Sequence, residues 1–238
     1  MGFGEGGRGQ WPLAPFPKNY QPMLNVDLIV FDLDGTLADS LPDLTAAANY
    51  VCRRLGLPEH RPAAVKEMIG GGEAAFVRRF LGPQGQEHVE AALELYLEHY
   101  AKHCGELTRL YPGVPEVLRF LSAKGKTLAV LSNKRQSLSE EVLRVMGILG
   151  FFAAVRGGGP DLALKPSPEP LAALMGALGR EAGRTLMVGD KPADILTARG
   201  AGAQVAAVTY GYGDPAVLQA AAPDFLLTDL RELLALVS

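Results

Sequence analysis

From Val26 onward, short apolar runs alternate with longer stretches in which apolar residues recur every three or four positions. The short runs fall at 26–31 (VDLIVF), 127–131 (TLAVL), 153–156 (AAVR), 185–188 (TLMV), 204–208 (QVAAV) and 224–227 (DFLL). Their length and apolar content predict strands. Helical patterns occupy 115–124, 137–146, 168–178, 192–200, 214–221 and 229–236 between them. Gly125, Gly147, Gly179, Gly183 and Gly202 fall near the ends of these segments, where glycine can close a helix in the left-handed conformation. Strands alternating with helices predict an α/β fold, a Rossmann-like parallel sheet with helices on both faces.

One segment departs from this rhythm. Residues 42–106 show no strand pattern and instead predict helices at 43–55, 62–69, 73–81 and 86–104. In the last of these, Leu93, Tyr96, Leu97 and Tyr100 recur at helical intervals. A helical insert after the first strand predicts a small domain of its own, 42–106, linked at Ser40–Pro42 and Tyr111–Pro115. The core is then built from 25–41 and 107–238, and the Gly- and Pro-rich residues 1–24 read as a flexible N-terminal extension. The letters GFGEGG near the start match a dinucleotide-binding pattern but follow no strand, so they carry no site.

Composition narrows the function class. The chain has 238 residues, 48% of them hydrophobic, and a net charge of −3. That is ample for a sizeable core and offers no basic stripe for nucleic acid. No apolar run approaches the roughly 18 residues of a membrane helix. The two cysteines, Cys52 and Cys104, make no disulfide framework and read as small buried side chains, so a cytoplasmic protein, monomer or homodimer, is expected. The four histidines, His60, His88, His99 and His103, all fall in the insert, and His99 and His103 share a helical spacing without further metal ligands nearby.

The chemistry gathers where strands end. LIVF runs into Asp32, LAVL into Ser132, and LMVG into Asp190. In a parallel sheet these ends lie on one edge, outside which ligands bind. Asp34, Lys165 and Asp194 follow in the adjoining loops, although Asp194 in KPADI also suits a helix start. Clustered carboxylates need a cation, and an oxygen-only set suits Mg²⁺. Lys165 can meet a phosphate as a point charge, and Gly35 leaves backbone N–H groups open to an anion. Asp32 then reads as a nucleophile on phosphorus, and Asp34 as the acid and base that serves the leaving oxygen and the water.

These segments resemble the haloacid dehalogenase-like (HAD) hydrolase superfamily over about residues 26–238: DLDGTLADS, Ser132 followed by Asn133, LKPSPEP around Lys165, and VGDKPADI. The resemblance implies an aspartyl-phosphate on Asp32, metal binding by Asp32, the Asp34 carbonyl, Asp190 and Asp194, phosphate contacts from Gly35, Ser132, Asn133 and Lys165, and a helical cap formed by the insert. MIGGG, LYPGV, LSNK and VTYGYG further resemble phosphoglycolate phosphatases, which implies a small phosphorylated metabolite as partner. Mutases of the β-phosphoglucomutase type and pyrophosphatases share the core motifs, and a non-catalytic binding protein would be expected to lose Asp32 or Asp34. Gly70, Gly71 and Gly72 form a loop that can approach a ligand closely, and Arg78 and Arg79 after it are candidates for a substrate carboxylate. Lys191 departs from the Ser or Thr that often follows the metal-binding aspartate.

Overall fold

The structure, a computed structural model, describes residues 24–237. In chain order the elements are β1 (Leu28–Phe31), β2 (Ala38–Asp39), α1 (Leu41–Arg54), α2 (Pro62–Met68), α3 (Gly72–Leu81), α4 (Val89–His103), β3 (Arg109–Leu110), α5 (Val114–Ala123), β4 (Thr127–Arg135), α6 (Gln136–Val145), β5 (Ala154–Gly158), α7 (Glu169–Ala177), β6 (Thr185–Gly189), α8 (Pro192–Gly200), β7 (Gln204–Val208), α9 (Pro215–Ala220), β8 (Phe225–Leu227) and α10 (Leu233–Leu236).

Six of the strands form one parallel sheet in the order β5-β4-β1-β6-β7-β8. The chain winds outward from β1 to β4 and β5, then crosses back and winds the other way through β6, β7 and β8. The winding reverses around β1, and that reversal opens a crevice at the carboxyl edge. All four side chains of β1 are buried. Ile29 and Phe31 face a core shared with α5 and α6, and Leu28 and Val30 face a second core shared with α7, α8 and α9. Burial on both faces is why LIVF is uniformly apolar rather than alternating.

The register sets the site. Phe31 pairs with Val130 of β4 and with Val188 of β6. One residue further on, Asp32 comes level with Leu131 and Gly189, one step short of Ser132 and Asp190. β4 continues past its apolar run to Arg135, with a register shift between Leu131 and Arg135. The polar residues Ser132, Asn133 and Lys134 therefore ride on a strand rather than on a loop.

Three features differ from the sequence expectation. The short strands β2 and β3 pair antiparallel, Ala38 with Leu110 and Asp39 with Arg109. Two residues each give no periodicity to read, yet the ladder holds together the two points where the chain leaves for the helices and returns. Residues 111–115 are accordingly not a free connection: Tyr111 N–H donates to Leu37 O at 3.0 Å, and α5 begins at Val114. The helix expected over 229–236 is a 3₁₀ turn, Leu230–Glu232, followed by the single turn α10. Leu24, expected in the extension, is buried and its N–H donates to Leu236 O at 2.7 Å; the rest of the expected extension, 1–23, lies outside the described residues.

Helices α1 to α4 pack over the carboxyl edge around an aromatic cluster. Phe76 meets Phe80 and Tyr96 edge-on, with ring centroids 5.3 and 5.5 Å apart, and Tyr96 stacks on Tyr100 at 5.7 Å. Among the described residues no helix is long and apolar enough to cross a membrane.

Candidate active site

The register of β1 and β6, and the loops after them, bring together Asp32, Asp190 and Asp194, each offering a carboxylate oxygen within 4.8 Å of the others. Asp190 and Asp194 are buried, and Asp32 is nearly so. Among the described residues their one ion-pair partner is Lys165. Its ammonium stands 2.8 Å from Asp32 Oδ1 and 2.8 Å from Asp194 Oδ1, and it donates to Leu131 O at 2.9 Å. Three donors thus meet three acceptors. Asn133 fixes the backbone that carries Lys165: its Nδ2 donates to Lys165 O at 2.9 Å and its Oδ1 accepts from Lys165 N at 2.8 Å. The carboxamide of Asn133 thereby positions Lys165, and Asn133 itself also lines the cavity described below.

Asp194 begins the helix expected from KPADI and also faces the carboxylate cluster. Its Oδ2 accepts from Lys191 N at 2.9 Å, capping α8, while its Oδ1 faces Lys165. Close approach dictates two glycines. A Cβ on Gly189 would lie 2.2 Å from Asp194 Cγ, and one on Gly35, at φ +87°, would lie 2.3 Å from Asp190 Oδ2. The same Asp190 Oδ2 accepts from Tyr212 N–H at 2.7 Å.

The electrostatics call for a cation. Burial pushes Asp32 up to about 8, opposed by Lys165 and reinforced by Asp194 and Asp190. Burial and Asp194 push Asp190 up to about 6, against the Tyr212 N–H. One ammonium does not neutralise three carboxylates, so the charged forms are disfavoured until a further positive charge arrives. The donor set is all oxygen, with no His or Cys, and fits a hard divalent ion.

Asp34 points elsewhere. Its Oδ1 accepts from Lys134 Nζ at 2.8 Å and from Ser40 Oγ at 2.5 Å. Lys134 also donates to Tyr100 OH of α4 at 2.7 Å. Burial works to discharge Lys134, but Asp34 and the surrounding groups outweigh it and hold its pKa above the ordinary value. Ser40 is therefore unavailable to cap α1. Tyr212 OH does so instead, accepting from Ser40 N at 2.8 Å and Leu41 N at 2.9 Å. Neither Lys134 nor Tyr212 is marked by strand-end spacing; the LSNK and VTYGYG strings were their only signal.

A cavity of about 350 Å³ opens between the sheet edge and the helices. Asp32, Asp34, Ser132, Asn133, Lys165 and Asp194 line it from the sheet side. Gly70, Gly71, Gly72, Glu73 and Arg79 line it from the helical side, and Lys191 reaches it from the loop after β6. Arg78, expected as an alternative to Arg79, is exposed and does not line the cavity; the helix turns it away by one position. Glu73 is buried and accepts from Arg135 N at 2.6 Å, and burial raises its pKa.

A model of the haloacid dehalogenase-like hydrolase family matches residues 29–208. Phosphoglycolate phosphatase 1 of Pseudomonas aeruginosa is 38% identical over 213 residues, covering 87% of this chain and 78% of that protein. Phosphoglycolate phosphatase of Aquifex aeolicus is 36% identical over 210 residues, covering 88% and 96% respectively. Among solved structures, that of a predicted phosphoglycolate phosphatase from Haemophilus somnus superposes with a TM-score of 0.85 at 32% identity, covering 90% of this chain and 98% of that one.

Proposed function

The chain belongs to the haloacid dehalogenase-like hydrolase family, and from that premise we propose that it is a Mg²⁺-dependent phosphatase cleaving 2-phosphoglycolate to glycolate and phosphate. The observation that carries this reading is the set of three converging carboxylates with Lys165 between two of them. A nucleophile aimed at a phosphate, with a cation beside it, makes use of so costly a cluster.

In this reading an Asp32 carboxylate oxygen attacks phosphorus. The bond from phosphorus to the ester oxygen breaks, and that oxygen takes a proton from Asp34 and leaves as the glycolate hydroxyl. Water then attacks the phosphorus of the aspartyl-phosphate and gives a proton to Asp34. The bond to Asp32 breaks, inorganic phosphate departs, and both carboxyl groups return to their starting states. Lys165 and Ser132 hold the transferring oxygens, while the Gly35 N–H donates to Ala38 O at 2.9 Å and shapes the loop after Asp32. Mg²⁺, held by Asp32, Asp190, Asp194 and the Asp34 carbonyl, would offset the repulsion between carboxylate and phosphate. Helices α1 to α4 act as a cap that excludes water and meets the far end of the substrate. A cavity of about 350 Å³ suits a small metabolite. Cys52 and Cys104 are buried free thiols, which suits a reducing cytoplasm.

The test is turnover of a panel of phosphate esters by purified protein with Mg²⁺, including 2-phosphoglycolate, pyrophosphate and sugar phosphates. The highest kcat/KM is expected for 2-phosphoglycolate, and EDTA should abolish activity. A clear preference for another ester would overturn the substrate, and full activity in EDTA would overturn the metal.

A further inference from the structure

Four cationic side chains line the cavity: Arg79, Lys134, Lys165 and Lys191. Two are already paired with acids, Lys134 with Asp34 and Lys165 with Asp32 and Asp194. Among the described residues Arg79 and Lys191 form no ion pair. Both instead donate to backbone carbonyls of one loop. Arg79 donates to Met68 O at 2.8 Å and to Gly70 O at 2.5 Å, and Lys191 Nζ donates to Ile69 O at 2.7 Å. Three successive carbonyls, those of Met68 and of the cavity-lining Ile69 and Gly70, are thus held by two cations, one arriving from α3 and one from the loop after β6.

A neutral carbonyl is the weaker partner for an ammonium; a carboxylate adds the attraction of a full opposite charge. Lys191 has three donors, and the contact to Ile69 uses one. Its base is fixed, because its own N–H is tied to Asp194 Oδ2. Arg79 is exposed, whereas Lys191 is half-buried. Screening by solvent weakens an exposed charge far more than a sheltered one. Of the two, Lys191 therefore holds the greater power to discriminate.

We propose that Lys191 is a specificity-determining residue: its ammonium receives the carboxylate of a small carboxylated phosphate monoester, with Arg79 beside it, while remaining bonded to the Ile69 carbonyl. The proposal rests on the phosphatase reading and adds the residue that selects the substrate's second anionic group. It also gives the lysine after Asp190 a task that the metal site itself does not require.

The experiment compares 2-phosphoglycolate with 2-hydroxyethyl phosphate, which puts a neutral hydroxymethyl group in place of the carboxylate. The readout is the ratio of their kcat/KM values in wild type, Lys191→Met and Lys191→Arg. Both values come from one preparation, so any misfolded fraction cancels. Lys191→Met should lower the ratio by about tenfold or more, and Lys191→Arg should keep most of it. A ratio unchanged in Lys191→Met overturns the proposal. That holds even if both rates fall together, because an equal fall would place Lys191 at the phosphate or metal end. A wild-type ratio near one would remove the phosphoglycolate reading and this proposal with it. A high wild-type ratio that survives Lys191→Met removes the role of Lys191 alone.

Discussion

Lys134 is the residue whose place the strand-end pattern conceals. Its ammonium stands between Asp34 at 2.8 Å and Tyr100 OH at 2.7 Å, and lies over the Tyr100 ring at 4.6 Å from the centroid. It therefore fixes the orientation of Asp34 from the direction of α4. In the proposed reaction Asp34 must serve first as acid and then as base, and a small misplacement of such a group is costly. Lys134→Met should lower kcat by about 10²-fold and change KM far less, because the lysine acts through Asp34 rather than on the substrate. Steady-state kinetics would separate the two, and a change confined to KM would contradict a positioning role. Asp32, Ser132 and Asp190 were legible in the sequence because each follows an apolar run directly, and parallel strands share one edge. Lys134 and Tyr212 were not legible as parts of the site. Their partners lie 100 and 172 residues away, and no local pattern encodes such a contact.

At the scale of elements, the helical segment is pinned where it begins and ends. Asp43, in the first turn of α1, is buried and accepts from Gly105 N, Leu107 N, Thr108 N and Thr108 Oγ1 at 2.6–3.2 Å. Its carboxylate satisfies the backbone of the returning chain just before the β2–β3 ladder. Truncating it strands the buried Thr108 N–H and hydroxyl, and buried unsatisfied donors are expensive. Asp43→Ala should cost about 3 kcal/mol, lowering Tm by roughly 6–12 °C for a chain of this size. A melting temperature within about 2 °C of the parent would show that water replaces the carboxylate without loss. The longer helices and the sheet strands were readable because their periods of 3.6 and 2 are sustained; β2 and β3 were not, being two residues each. The split of 229–236 into a 3₁₀ turn and a short helix also escaped, since Asp229 accepts from Arg231 N and starts a tighter turn within the same apolar pattern.

At the scale of the whole molecule, the contacts of Glu73 with Arg135 N, Lys134 with Tyr100 OH, and Lys191 with Ile69 O tie the helices to the sheet around the cavity. The two layers meet over the three carboxylates, and burial there raises both Asp32 and Asp190 above the ordinary carboxylate range. Folding alone gains nothing from such a cluster. With the Lys165 ammonium, a divalent cation would balance the three carboxylates. The aspartyl-phosphate proposed on Asp32 can be caught directly. Borohydride reduces an acyl phosphate to an alcohol, converting the aspartate that carried it to homoserine. The protein is quenched with borohydride during turnover of 2-phosphoglycolate with Mg²⁺, and the peptide spanning Asp32 is sequenced by mass spectrometry. Homoserine at position 32, present only when substrate and metal are both supplied, is the predicted result; reduction at a different carboxylate, or an unmodified Asp32 under steady turnover, would contradict it.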